Sequence, residues 1–307
     1  MRHISMGLAI LIVLSSSLGC LFTGRLPDID INVPDIEVPD VRVPTMEVGE
    51  MIEETKSIPL QGESPVDVSI MFGAGEINLS DAAAAGQLLT GDFRYNVSSW
   101  APEVTFEDGE LRIRQGGDEG SWGIPSSANM HNEWDLAFAN GVPMNVNLTM
   151  GAGNGHLDLS GLQLTRLEVN AGAGDVDIRC DAPNSVVAEQ FTLRTGAARA
   201  VVTNIGNVGA SKVTIQGGAG DIELDFGGDW RESAEVGVVT GVGALTLRLP
   251  DSVGARVEIE GLTTIDNEGL RKEGDAYVNA AWGQSAVQLS IDVKAGVGSV
   301  RLVPVAD

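Results

Sequence analysis

Apolar and polar residues alternate with a period of two along most of this chain, and glycine bends interrupt the alternation at regular places. Positions five and three before the first glycine of each bend are apolar in all seven copies, and positions four and six after it are apolar in six. Alternation on both sides of a fixed bend predicts a strand, a glycine turn and a second strand. The bends are Gly73–Gly75, Gly151–Gly153, Gly172–Gly174, Gly196–Ala198, Gly218–Gly220, Gly241–Gly243 and Gly296–Gly298.

The bends recur at a nearly constant spacing. From the second copy to the sixth, the first glycines are 21, 24, 22 and 23 residues apart. One such unit cannot bury its apolar face alone, so the recurrence predicts that successive units stack. Glycine permits positive φ and lets neighbouring bends lie close together, and Ala198 predicts a looser corner. We therefore expect an all-β fold, a β-solenoid-like stack of short strands in about seven strand–Gly-x-Gly–strand units.

The first 22 residues have the pattern of an export segment. Arg2 precedes the apolar run Gly7–Leu14, and small residues lead to Cys20, an ending that resembles the lipobox of bacterial lipoproteins. We expect Cys20 to be lipidated. An uncleaved anchor helix over Ile4–Phe22 and simple secretion remain alternatives. Both anchored alternatives place the rest of the chain on the extracytoplasmic side of the cell membrane.

Residues 23–56 predict an extended acidic linker. Prolines at 27, 34, 39 and 44 prevent a helix, and nine acidic residues stand against one basic residue between Asp28 and Glu54. The Ile/Val alternation in this segment leaves a second interpretation open, a strand added to the sheet edge of a partner. After the linker we expect a first β module at 57–140 and a β-repeat module at 141–307.

Several segments of the body resemble bacterial toast-rack domains. Ser57–Leu60, Met71–Leu79 and Leu88–Tyr95 look like the N-terminal toast-rack module, and the pattern continues to Asp175. The tail Gly296–Val300 is similar to the C-terminal domain of the LiaF-like, cell-wall-active-antibiotic response family, and repeat proteins of the "putative adhesin" type share the Gly-x-Gly-Asp cadence. The resemblance covers roughly residues 57–307 and implies a β fold, with no catalytic residues to carry over from the family. LiaF-like regulators carry several membrane helices before this domain, whereas one apolar segment precedes it here. The segments that continue the pattern are Trp134–Leu136, Val142–Met144, Gly151–Gly153, Leu157–Leu162 and Gly172–Asp175.

The charge excludes a nucleic-acid partner, and the cysteine content excludes a disulfide framework. The net charge of −24 repels phosphate backbones, so we expect no nucleic-acid partner. The two cysteines are Cys20 and Cys180. With Cys20 lipidated or in the membrane, Cys180 has no partner for a disulfide, and we expect it to be a small strand residue.

A weak cation-binding face is the one candidate for ligand chemistry. Asp175, Asp177, Asp221 and Glu223 occupy outward positions after two of the bends, where like charges on stacked strands repel unless a cation or a base intervenes. Arg199 lies between the two pairs and could neutralise them, so we favour a self-compensated solvent face, with a bound divalent ion as the alternative. Gly217–Asp221 resembles a calcium β-roll turn, but the spacing and the period differ.

The other patterns do not indicate an active site. The glycine bends are followed by strands rather than by the helix that a dinucleotide fingerprint needs, and no zinc-ligand or serine-hydrolase spacing is present. We therefore expect no cofactor and no enzymatic activity. The tryptophans are expected mainly to cap the stack, and the loop 116–132 is a candidate contact segment.

These features favour a non-enzymatic cell-envelope scaffold or adhesin-like binding module, anchored at its N-terminus in the membrane. Its expected partners are an envelope protein or a glycan, and self-association through sheet edges is possible. The alternative is an accessory regulator of envelope-stress signalling that acts on a membrane sensor kinase, as the LiaF-like resemblance implies.

Overall fold

A computed structural model describes residues 48–62, 65–117 and 129–305, and most of these residues lie in β-strands. The predicted export segment with Cys20, residues 23–47 of the predicted linker, and residues 118–128 of the loop 116–132 lie outside the described residues. A 3-10 turn covers Ser98–Trp100 and a short helix α1 covers Ile205–Val208. The strands are β1 (Val48–Pro59), β2 (Val66–Ser80), β3 (Gln87–Val97), β4 (Pro102–Glu107), β5 (Glu110–Gln115), β6 (Asn132–Phe138), β7 (Pro143–Asp158), β8 (Gln163–Arg179), β9 (Gln190–Thr203), β10 (Lys212–Ala219), β11 (Ile222–Asp225), β12 (Ala234–Pro250), β13 (Gly254–Asn267), β14 (Arg271–Glu273), β15 (Ala276–Val278) and β16 (Gln288–Val305).

The strands form one sheet whose central part is a parallel ladder. Its order is β2, β7, β8, β9, β10 with β11, β12, β16 and β13. Each member runs through its glycine bend, and β10 and β11 are the two parts of one such unit. The expected all-β stack of bent strands is therefore confirmed for the described residues.

The period-two pattern places one side of every strand in the core. In β8, Leu167, Val169, Val176 and Ile178 are all buried, two before the bend and two after it. The corresponding side chains of the other units join them in one continuous hydrophobic cluster. Burial of this apolar surface drives the stacking, because a single bent strand would leave it in water.

The bends stack as two columns of glycine. A Cβ added at Gly172 would overlap the carbonyl oxygen of Gly151, and one added at Gly174, where φ is +117°, would overlap that of Gly153. Successive backbones are therefore too close at the bend for a side chain. Ala198 stands in the second column without the positive φ of Gly174, so its corner has a different backbone conformation.

The predicted module boundaries do not coincide with breaks in the sheet. β1 begins at Val48, inside the segment 23–56 assigned to a linker, and pairs antiparallel with β3. β6 and β7, on either side of residue 140, both pair with β2. Residues on the two sides of the expected boundary thus share a strand partner, because pairing depends on contacts distant in sequence.

The far end of the ladder departs from chain order. β16 lies between β12 and β13, parallel to both. β13 carries an eighth bend at Gly261 that lacks the Gly-x-Gly pattern. The hairpin of β14 and β15 then covers only Arg256–Glu258 on the outer side of β13.

Buried asparagines bind the loops that connect the units. Asn184 donates to the carbonyl oxygens of Leu164 and Val208 at 2.7 and 3.0 Å. Asn207 donates to the carbonyl oxygen of Cys180 at 2.8 Å, and Asn279 holds the loop before β13 in the same way. These side chains satisfy backbone groups that would otherwise be buried without partners.

Candidate interaction surfaces

The four acidic residues of the predicted cation face lie on neighbouring strands of the outward sheet surface that follows the bends. Asp175 of β8 is in register with Arg199 of β9, and Asp177 with Val201. Glu223 of β11 is in register with Val201 on its other side. Because adjacent strands are about 4.8 Å apart, the structure places Arg199 beside the first acidic pair, as the spacing predicts.

Existing protein groups already engage the second acidic pair. The Nε of Arg248 donates to Glu223 Oε1 at 2.6 Å, and this hydrogen bond raises the pKa of Arg248. Asp221 Oδ1 accepts from the backbone N–H of Ala244 at 3.1 Å. Among residues 48–62, 65–117 and 129–305, no group of three or more His, Cys, Asp or Glu side chains is arranged to hold a metal ion. Cation binding at these residues stays the untested alternative to a self-compensated solvent face.

A shallow depression lies farther along the same surface. Its floor includes Asn78, His156 and Asp177 in one cross-strand row, with Asp158 and Arg179 beside it. Burial acts to raise the pKa of Asp158, but hydrogen bonds from Ser160 and Arg179 outweigh it and the pKa lies below its ordinary value. The depression is polar and open, which suits surface contacts with a polar partner better than enclosure of a small molecule.

An apolar patch stands exposed where the bends reach the β13 end of the ladder. The middle residue of the earlier bends is alanine, whereas Val242 and Val297 occupy it in the last two, and Leu262 lies in register with Val297. These three side chains, here named the bend patch, are 58 %, 61 % and 84 % exposed. The sequence analysis missed the patch, although the change from Gly-Ala-Gly to Gly-Val-Gly could have indicated it.

The edge strand β1 at the other end carries charged side chains in core-facing positions. Glu54 lies opposite Phe93 in the column that Ile77 and Trp134 occupy on inner strands. Its carboxylate accepts from the Tyr95 hydroxyl at 3.0 Å and lies 3.5 Å from the ammonium group of Lys56. Inward-pointing charges of this kind discourage a further strand from adding to an edge.

Three tryptophans and the cysteine of the described body are buried. Trp134 is fully buried between Phe72 and Phe93, and Trp100 and Trp230 are also buried, in agreement with packing and capping roles. Burial raises the pKa of Cys180 to about 12, so its thiol is protonated and unreactive at neutral pH.

A known family model matches the part of the chain that carries the glycine bends. The model of the family described as "N-terminal domain of toast_rack, DUF2154" matches residues 47–203 and 183–248, more than half of the chain. The chain belongs to the toast-rack family. The match includes the first six bends and ends before β13 and β16, so the bend patch lies partly outside the matched region of this toast-rack protein.

Three solved structures that align with most of this chain come from bacteria, and all three have TM-scores below 0.5. A "putative cell adhesion protein" from Clostridium sporogenes is 25% identical, with a TM-score of 0.48, and the alignment covers 83% of this chain and 100% of that one. A "putative adhesin" from Bacteroides fragilis is 10% identical with a TM-score of 0.35, covering 83% and 97%. A "Putative lipid binding protein" from Parabacteroides distasonis is 12% identical with a TM-score of 0.38, covering 82% and 96%.

No curated protein matches the chain. Within the part of the chain that the structure describes, no helix has both the length and the apolar character needed to cross a membrane.

Proposed function

We propose that this toast-rack protein is a non-enzymatic binding module or scaffold of the cell envelope. In this proposal Cys20, or an uncleaved anchor segment, attaches the N-terminus to the membrane, and the stacked body is displayed on the extracytoplasmic side. The family membership and the all-β repeat fold support a binding role without catalysis. The observation that carries it is the bend patch, because contiguous exposed aliphatic side chains on a polar, acidic surface are typical of contact sites.

The attachment is tested with the native chain and a Cys20→Ser variant. We expect the native protein to incorporate a clickable fatty-acid analogue and to sediment with the membrane fraction, and the variant to lose the label. Retention of the label by Cys20→Ser would contradict lipidation at this residue. A native chain that sediments with the membrane fraction but incorporates no label would identify the uncleaved anchor instead.

The binding role is tested by chemical crosslinking in intact cells, followed by affinity capture and mass spectrometry. We expect surface proteins or wall material to be captured by the native chain and lost with Leu262→Ser. Val187→Ser is the matched control, because Val187 is also an exposed aliphatic residue, at 70 % exposure, but lies in a loop away from the bends. Capture of a sensor kinase would favour the regulatory function and overturn this proposal.

A further inference from the structure

One strand at the end of the ladder has an outer side that pairs with nothing in the described part of the chain. β13 pairs with β16 along its whole length, from Gly254 to Asn267. On the other side, β15 covers only Arg256–Glu258. Among the described residues, no strand lies beside the outer side of Ile259–Asn267, which is here named the open edge.

The open edge presents backbone groups suited to a further strand. The N–H of Glu268 donates to the carbonyl oxygen of Leu302 on β16 at 3.0 Å. Because successive residues of a strand direct their N–H and C=O groups to opposite sides, Thr263, Ile265 and Asn267 direct theirs away from β16. The hydroxyl of Thr263 is also buried without a hydrogen-bond partner among the described residues.

The side chains of the open edge also favour an added strand. Ile265 is in register with the buried Val300 and faces the core, yet it is only half-buried because no strand of the described residues lies outside it. Leu262, at the start of the same segment, is 84 % exposed. An incoming strand would cover both aliphatic side chains and extend the apolar surface of the bend patch.

The two ends of the sheet differ in protection against such pairing. At the β1 end the two core-facing columns hold Glu54 and Lys56, whereas at the β13 end the same columns hold Ile265 and Asn267. A charged side chain in a core-facing position opposes a further strand, and an aliphatic one does not. The open edge therefore lacks the device that protects β1.

The charges around the open edge indicate what kind of strand fits. The outward residues Glu260, Asp266 and Glu268 outnumber their basic neighbours Lys294 and Arg301, and Arg301 is shared between Asp266 at 3.2 Å and Glu268 at 3.6 Å. Opposite charges across strands stabilise pairing and like charges oppose it. An incoming strand with basic outward side chains would be complementary.

A second copy of this chain fits less well. Two copies could pair their open edges antiparallel along the full length of Ile259–Asn267. In that register Glu260 of one copy lies opposite Asp266 of the other. If two copies stack end to end instead, the open edge of one copy meets β1 of the other, and the exposed residues of β1 include Glu50 and Glu53. Both arrangements bring carboxylates together.

We propose that the open edge binds an extended segment of a partner protein, added as a further β-strand with aliphatic side chains toward the core and lysine or arginine outward. This inference rests on the proposed binding function and names the class of partner. Main-chain hydrogen bonds to Thr263, Ile265 and Asn267 supply affinity, and the alternate side chains supply selectivity.

The test uses the full-length chain and a fluorescent seven-residue peptide in which lysine alternates with valine and isoleucine. We expect saturable binding by fluorescence anisotropy, at least tenfold weaker binding of the same peptide with glutamate in place of lysine, and slower hydrogen exchange at the Thr263, Ile265 and Asn267 amides. Ile265→Pro removes an outward N–H without removing a bond to β16, so it should abolish binding, while Ile265→Val should retain it. Asp266→Lys keeps the backbone intact and should reverse the preference between the two peptides.

Four results would overturn the proposal: no saturable binding of the lysine peptide, equal binding by Ile265→Pro, exchange protection of the three amides in the free protein, or a dimer in light scattering that Ile265→Pro dissociates. The third result would show that another part of the chain covers the edge, and the fourth that a second copy does. If the peptide fails to bind but crosslinked envelope partners are still captured in cells, the binding function stands and the open-edge proposal falls. Peptide binding without any captured partner would count against the proposed function instead.

Discussion

Replacing Gly174 by alanine should strongly destabilise the stack, because this residue satisfies two steric requirements at once. Its φ of +117° lies in a region that residues with a Cβ rarely adopt, and a Cβ there would overlap the carbonyl oxygen of Gly153 well inside the 3.0 Å that real Cβ atoms keep. The conformational strain costs about 1–3 kcal/mol, and forcing an added methyl group into close packing costs about 1–3 kcal/mol more.

We therefore expect Gly174→Ala to lower the free energy of unfolding by about 2–6 kcal/mol, the sum of these two costs. Urea unfolding followed by tryptophan fluorescence measures this change, since Trp134 and Trp230 are buried. Gly237→Ala is the matched control, because Gly237 has negative φ and nothing within 4 Å of its added Cβ. It should change stability by no more than about 1 kcal/mol.

Ala198 provides an internal check on this reasoning. It occupies the same column as Gly174 but does not have positive φ, so its corner has already adjusted to a side chain. Ala198→Gly should accordingly cost no more than about 1 kcal/mol, from the greater freedom of glycine in the unfolded chain. If Gly174→Ala is no more harmful than Gly237→Ala, the glycine columns are not required for stacking and the steric argument is refuted.

Three further predictions concern single side chains. Asn184→Ala should lower the free energy of unfolding by about 2–4 kcal/mol, because it leaves the carbonyl oxygens of Leu164 and Val208 buried without a donor; a urea midpoint equal to that of the native chain would contradict this. Cys180 should react with a thiol reagent at pH 8 only after denaturation, because burial raises its pKa to about 12; rapid labelling of the folded Cys20→Ser variant would contradict its assigned environment. The folded-state pKa of Asp158 is lowered, so its contribution to stability is present above the ordinary carboxyl pKa of 3.8 and is lost as the pH falls through the lowered value. Asp158→Asn should therefore weaken the pH dependence of the thermal midpoint on the acidic side, and an unchanged profile would contradict this.

Local patterns were sufficient to predict the repeating unit. Alternation around Gly172–Gly174 identifies which side chains of β8 face the core, because a strand turns successive residues to opposite sides whatever its neighbours are. Glycine lacks a Cβ whatever its neighbours are, so the spacing of the glycines was sufficient to predict that the backbones of successive bends lie close together. The neighbours of Asp175 were predictable on the same basis, since equal spacing places it in register with Arg199.

The order and the ends of the sheet could not be derived in this way. Nothing local distinguishes a sheet that ends in β16 from one in which β16 inserts between β12 and β13, because both arrangements bury the same alternating positions. β1 likewise lies within a proline-rich acidic segment by composition, and it joins the sheet through its register with β3.

The sequence by itself thus determined the strand, the bend and the tendency of the units to stack, since each depends on the geometry of a few consecutive residues. Only the tertiary structure decided which strand lies at the end, and with it the exposure of Leu262, the half-burial of Ile265 and the open edge of β13. The physical reason is that strand pairing joins residues distant in the chain. A strand lies at an edge when no other strand pairs with its outer side. Whether such a partner exists depends on the rest of the chain and cannot be read from the residues of that strand alone.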